Sequence, residues 1–369
     1  MTIAAVHVHR LVAPLHTPFA TALATLTHLS TVVVEIVDQD GRSGFGEAPE
    51  VWTVTGSSIA SSEACVTEAF APLLIGRDAD DLVENCRRVS SAVAGNEPAK
   101  AAVDIALHDL AAVRLGIPLV RLLGGSRLVV PTDVSLAVGA VDSLATAAKS
   151  RVAEGFDVLK VKVGTDAATD VDRVTAVREA VGPEVRIRLD ANQGWTPREA
   201  VRIIRSLEDA GVGAEFVEQP VARRDVEGLA WVSDRVGTPI MADESVFDVR
   251  DLVEVIRRRA ADMINVKLAK SGGLSAARTL LELARAQGMA TILGCNLESE
   301  IGTGAAASLV AAYGTTMVSD LDAVWWLKRP AVTGGMRYQG ASVVLPDAPG
   351  LGICGLVSAQ AREAAVPPA

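Results

Sequence analysis

Five charged residues recur at near-equal steps along the second half of the chain: Lys162, Asp190, Glu218, Asp243 and Lys267, separated by 28, 28, 25 and 24 residues. Each closes a short apolar run, at 158–162, 185–190, 215–218, 239–243 and 263–267, and a helical stretch follows each. A strand, a loop and a helix together need about that many residues, so the spacing predicts a repeated β-α unit. In a closed parallel barrel the C-terminal ends of all strands open on one mouth. The ladder therefore predicts three carboxylates between two lysines, all facing one cavity.

The chain has 369 residues. A barrel takes about 250, which leaves room for a smaller second domain. The first part differs from the rest. Residues 3–12 alternate apolar and polar side chains, residues 31–37 are rich in β-branched types, and Asp38-Gln39-Asp40-Gly41 supplies a turn, so a small antiparallel sheet is expected. A helix is predicted over 98–115, stopped at Gly116-Ile117-Pro118, with Gly124-Gly125 marking a boundary. Strict alternation begins near residue 129, with strand 1 expected at 129–138, strand 7 at 290–293 and strand 8 at 316–319. The fold class is α/β: a (β/α)8-type barrel over 126–328, preceded by an α+β domain over 1–125. A segment over 329–369 is expected to pack back on that domain, with its Ala/Pro-rich last residues fraying.

Hydrophobic residues make up 49% of the chain, enough for a sizeable core. The net charge is −10 with no Lys/Arg run, which argues against nucleic acid and anionic membranes as partners. No stretch of 18 apolar residues predicts a membrane span, and the start lacks a signal-peptide pattern, so a cytoplasmic protein is expected. Cys65, Cys86, Cys295 and Cys354 form no CxxC pair, against a zinc knuckle or disulfide framework. A small-molecule substrate and a homo-oligomer are expected.

Asp190, Glu218 and Asp243 offer hard oxygen ligands suited to Mg2+, with Mn2+ as an alternative. His7, His9, His16, His28 and His108 all precede the barrel, against a histidine-ligated metal at its mouth. One carboxylate ending a strand is better read as a helix cap; three on consecutive strands point to a metal. Lys160 and Lys162 lie two apart, so their side chains share a face. A lysine beside a cation is pushed toward its neutral form by like charge and desolvation, and a neutral lysine is a general base. Strands 2 and 6 lie opposite each other on an eight-strand ring, so Lys162 and Lys267 would flank a substrate. Lys160 reads as a supporting charge, and Lys270 as a neighbour of the ligands or a surface residue.

Taken together, Lys160-Val-Lys162, Asp190-Ala-Asn192, Glu218-Gln-Pro220, Asp243-Glu-Ser245 and Lys267-Leu-Ala-Lys270-Ser-Gly-Gly273 resemble, in order and spacing, the enolase superfamily. Within it they resemble the muconate-lactonizing subgroup, which pairs two lysines. The resemblance covers nearly the whole chain and implies that the N-terminal domain caps the barrel and carries substrate-specificity loops. It also implies abstraction of the proton next to a carboxylate, with Mg2+ stabilising the resulting charge. The subgroup holds muconate cycloisomerases, o-succinylbenzoate synthases, N-acylamino acid racemases and dipeptide epimerases.

The last group is the nearest in pattern. Gly294-Cys295-Asn296-Leu297-Glu298-Ser299 is similar to its strand-7 motif, although Asn296 stands where Met is common. Asp320-Leu321-Asp322 resembles its strand-8 motif. Two acids two apart can pair with an ammonium such as the free amine of a dipeptide; capping the next helix, or balancing Lys328 and Arg329, is the bland alternative. The expected roles follow: Asp190, Glu218 and Asp243 hold the metal, and Lys162 and Lys267 exchange protons. Lys160, Asp320, Asp322, Ser135, Cys295 and Glu298 touch substrate, and Asn192 and Glu244 orient the ligands from behind. The roof segment 17–27 holds no Lys or Arg, so an acidic side chain would find no cation there. Glu50-Val51-Trp52 offers apolar or cation-accepting surface; Trp325-Trp326 either does the same or packs barrel against tail. A non-catalytic metal-dependent binder and a Schiff-base aldolase are the competing classes; the aldolase would leave the three carboxylates without a role.

Overall fold

The computed structural model describes residues 1–357; the C-terminal residues expected to fray lie outside them. The N-terminal part is a three-stranded antiparallel sheet of β1 (Ile3–Ala20), β2 (Thr25–Asp38) and β3 (Ser43–Pro49), in that order. β1 runs well past the predicted residue 12. Its far end pairs Phe19 with Leu26, so the segment 17–27 is the tip of a hairpin rather than a loop. The helix Glu97–Leu115 lies across this sheet, with Pro98 in its first turn and Gly116 (φ 69°) stopping it in the left-handed region. It can approach because β3 carries glycine at the contact: a Cβ on Gly46 would sit 1.8 Å from the Ala102 carbonyl oxygen.

The rest is a parallel sheet that curls into a barrel. The stretch expected as strand 1 divides in two. β4 (Val129–Pro131) pairs antiparallel with the C-terminal segment, and only β5 (Val134–Leu136) enters the barrel. Pro131 lacks an N–H and ends the first piece. Then come β6 (Val158–Lys162), β7 (Arg186–Asp190), β8 (Ala214–Glu218), β9 (Ile240–Ala242), β10 (Met263–Lys267) and β11 (Ala290–Gly294), neighbours in sequence order. The eighth position, expected at 316–319, is reduced to two bridges: Ser319 pairs with Thr132 and Asp320 with Gly294, which closes the ring.

Helices follow the strands on the outside. Pro197–Asp209 shows why they form. Thr196 caps it reciprocally with Glu199, proline opens it, and Ala200, Val201, Ile203, Ile204 and Leu207 bury one face. Strand parity sorts the barrel's interior. Leu159, Val161, Ile187, Leu189, Val217, Ile264 and Leu293 belong to the large core beneath the helices, while Phe216, Met241, Met263 and Ile292 form a separate small cluster. These four share their parity with Glu218, Asp243, Lys267 and Gly294, and so mark the inward face.

The C-terminal segment adds β12 (Val332–Gly334), β13 (Arg337–Tyr338), β14 (Ser342–Val344) and β15 (Ile353–Leu356); β13 and β14 extend β4, and β12 pairs with β15. The Leu351 N–H donates to Asp109 of the helix Glu97–Leu115 at 2.6 Å. Among the described residues no helix is long and apolar enough to cross a membrane.

Candidate active site

The five ladder residues converge. Lys162, Asp190 and Glu218 end adjacent strands at matching register, Asp243 stands one residue past β9, and Lys267 ends β10. Lys162 Nζ lies 2.6 Å from Asp190 Oδ2, and Lys267 Nζ lies 2.7 Å from Asp243 Oδ2. β6 and β10 are separated by β7, β8 and β9, so the lysines stand across the ring from each other. Both line a cavity of about 280 Å3 between the barrel mouth and the N-terminal sheet, together with Ser135, Asn192, Glu244, Cys295, Asp320 and Asp322.

Asp190, Glu218 and Asp243 are at most 1% exposed. Burial and then the charge of Asp190 push the Glu218 carboxyl up to about 8. For Asp190 and Asp243 burial alone would do the same, but the surrounding lysines overcome it and hold both below the usual carboxylate range. Three buried acids that repel one another make a hard-oxygen donor set that a divalent cation would relieve, so the residues fit Mg2+ or Mn2+. Burial, the largest single influence, would lower Lys267, yet the carboxylates around it, Asp243 first and then Glu218 and Asp320, together overcome it and raise the group above the ordinary lysine range. The protein's own carboxylates favour the ammonium of Lys267; the neutral form expected from sequence is what a cation beside it would bring.

Two predicted substrate contacts are not brought to the cavity. Lys160 is fully buried beneath it, with Nζ 2.7 Å from Glu218 Oε2 and Asp320 Oδ2 and 3.1 Å from Asp190 Oδ2. It ties three carboxylates together instead of facing outward, since it stands two residues, about 6–7 Å, deeper along its strand than Lys162. Glu298 is buried behind the strand-7 loop, where its Oε1 accepts the Asn296 N–H at 3.2 Å. Burial and then Glu47 raise it to about 8. The remaining predicted contacts do line the cavity. Ser135 donates its N–H to Asp322 Oδ2 at 2.7 Å, and the Cys295 N–H donates to the Asp320 carbonyl at 3.0 Å. Asn192 Nδ2 donates to Glu244 Oε1 at 3.3 Å.

Residues that sequence reasoning missed support these. Asn265 Nδ2 donates to Glu218 Oε1 at 2.8 Å; it shares Lys267's inward parity, a signal that was available. Gln219 Oε1 accepts the N–H of Asp243 at 2.9 Å and of Ser245 at 3.1 Å. Asn192 and Gln219 hold left-handed backbone, φ 40° and 34°, just past two of the strands that carry carboxylates. Lys270, left open as neighbour or surface, is 1% exposed, with Nζ 2.5 Å from Asp243 Oδ1. Trp326 donates from Nε1 to Asp322 Oδ2 at 3.1 Å and meets Phe19 edge-on at 4.6 Å. Trp325 packs on His16 and under Arg151, so the pair joins barrel to hairpin rather than barrel to tail.

A capped parallel barrel with an acid cluster between opposed lysines defines a class, and the chain belongs to it: the enolase superfamily, in the mandelate racemase and muconate lactonizing enzyme branch. Residues 3–124 match the family described as "Mandelate racemase / muconate lactonizing enzyme, N-terminal domain", and residues 143–354 match "Enolase C-terminal domain-like". Among curated proteins the chain is 42% identical to the L-Ala-D/L-Glu epimerase of Bacillus subtilis, over 96% of this chain and 97% of the relative. A solved substrate-liganded complex of the Bacillus subtilis L-Ala-D/L-Glu epimerase superposes with a TM-score of 0.94 at 41% identity, covering 97% and 100% of the two chains. The dipeptide epimerase of Enterococcus faecalis, solved with Mg and L-Leu-L-Tyr, superposes at 0.92 and 39% identity, covering 96% and 99%.

Proposed function

We infer that the chain is a metal-dependent isomerase that epimerises dipeptides at the α-carbon next to the terminal carboxylate. One observation carries the reading: Lys162 and Lys267 stand across the ring and line one cavity with Asp320 and Asp322. Asp190, Glu218 and Asp243 would hold Mg2+, or Mn2+, which neutralises charge on the substrate carboxylate. Lys160 and Asn265 orient that acid set from below and beside it.

In the reaction the α C–H bond breaks, its proton passes to the amine of one lysine, and the electron pair moves onto the carboxylate. The ammonium of the opposite lysine returns a proton to the other face, and the centre inverts. Asp320 and Asp322 pair with the α-ammonium; an N-acyl amino acid or succinylbenzoate has none, which places the racemase, synthase and cycloisomerase readings behind this one. The hairpin tip and the turn at Trp52, from the capping segment 1–125, roof the barrel of 126–328, and the described part of the C-terminal segment, 329–357, returns to that cap.

Lys162→Ala and Lys267→Ala are expected to abolish epimerisation, each variant still exchanging the α-proton of one epimer in D2O. Activity should vanish with chelator and return with Mg2+. Normal epimerisation by both variants would sink the mechanism.

A further inference from the structure

The cavity has two chemically different ends. Its floor carries the lysines and acids described above. Its roof, drawn from the hairpin tip and the segment Glu50–Val54, presents Phe19, Leu23, Leu26, Val51, Trp52 and Val54. Leu26 is 37% and Trp52 66% exposed. Large apolar side chains left open to water at the edge of a cavity are the mark of an apolar ligand surface.

Among the described residues, no Lys or Arg lines this roof. Its titratable side chains are His28, whose Nδ1 lies 3.1 Å from Thr27 Oγ1, and Glu50, whose Oε1 accepts the Ile59 N–H at 3.1 Å. The nearby arginines are committed elsewhere. Arg223 Nη1 donates to the Val54 carbonyl at 2.7 Å, and its guanidinium lies 5.5 Å from the Phe247 ring centroid. Arg151 lies 4.1 Å from the Trp325 centroid. Arg223 holds the Trp52 turn against the barrel from outside the cavity and leaves no charge inside it.

Resting on the dipeptide-epimerase reading, we propose that this site takes dipeptides whose epimerised residue is apolar and discriminates against an acidic one, unlike the L-Ala-D/L-Glu epimerase it resembles. With the terminal carboxylate and the α-ammonium engaged at the floor, the side chain of the second residue is directed to the roof. An aliphatic or aromatic group there exchanges water for the faces of Leu26 and Trp52. A glutamate side chain would lose hydration with no cation to replace it and with Glu50 adding repulsion.

The test uses the full chain with Mg2+ and three substrates, L-Ala-L-Leu, L-Ala-L-Glu and L-Ala-L-Lys, and measures kcat/KM by α-deuterium incorporation. The leucine dipeptide should exceed the glutamate one by about 100-fold, which corresponds to about 2.7 kcal/mol. A leucine preference over glutamate below tenfold overturns the inference, as does a lysine dipeptide that outperforms leucine, which would make Glu50 the determinant. Exchange on L-Ala-L-Glu alone would overturn it while leaving the epimerase reading intact. If none of the three exchanges its α-proton, that reading itself falls.

Discussion

Glu47 joins the N-terminal sheet to the barrel, and its removal should cost both stability and turnover. It sits on β3, 2% exposed, and accepts the Ser299 N–H at 2.9 Å, the Gly302 N–H at 2.9 Å and the Ser299 hydroxyl at 2.5 Å. These donors open the helix Glu300–Tyr313, directly after the loop whose Cys295, Asn296 and Leu297 line the cavity. Glu47→Ala leaves two buried N–H groups without an acceptor, at about 1–3 kcal/mol each. Relief of the buried charge, whose carboxyl burial raises above its usual range, offsets part of that. The net expectation is a loss of about 3 kcal/mol, with Glu47→Gln, which keeps one acceptor oxygen, losing about half as much. The slope with pH should change too. Burial and then Glu47 raise Glu298 from 4.5 to about 8, so its contribution to stability is complete below about pH 4.5 and is lost as pH rises through 8. Without the Glu47 charge that window should narrow, and the decline between pH 6 and 9 should flatten. Urea unfolding followed by circular dichroism at several pH values, with epimerase kcat on the same samples, measures all of this. A Glu47→Ala protein within about 0.5 kcal/mol of its parent, or a Gln variant no better than Ala, would refute the reasoning.

Asp109 is a second tie: its carboxylate accepts the Phe45 N–H at 2.7 Å and the Leu351 N–H at 2.6 Å, so Asp109→Ala should cost about 2–4 kcal/mol in urea unfolding. Burial raises Asp109 from 3.8 to about 7, so its share of stability is full below about pH 3.8 and is lost as pH rises through 7; Asp109→Asn should remove that dependence. Gly294→Ala would place a Cβ 2.7 Å from Asn265 Oδ1 and 3.1 Å from Lys267 Cε, so kcat should fall at least tenfold while thermal stability drops by only about 1–3 kcal/mol. An unchanged kcat would show that Lys267 tolerates displacement.

Much of the site could be read from the residues because its grammar is local. A β-α unit consumes a nearly constant length, so the ladder from Lys162 to Lys267 announced a barrel, and period-two parity pointed its members inward. Asp320 and Asp322 were read from a motif resemblance, supported by two acids lying two apart, and Asn265 was within reach through its parity with Lys267. Parity sets the direction of a side chain but not its depth along the barrel axis. The depth of Lys160, whose Nζ reaches Glu218 and Asp320, and the return of Lys270 onto Asp243 are therefore not legible from spacing. Glu298 turned away because Glu47, 251 residues earlier in the chain, organises the turn that carries it. The same distance problem split strand 1, whose first half was claimed by β14 of the C-terminal segment. What the sequence determined alone was the repeat, its chemistry and the poverty of positive charge in 17–27. Which groups reach the cavity was decided by contacts between segments hundreds of residues apart, whose geometry no local spacing encodes.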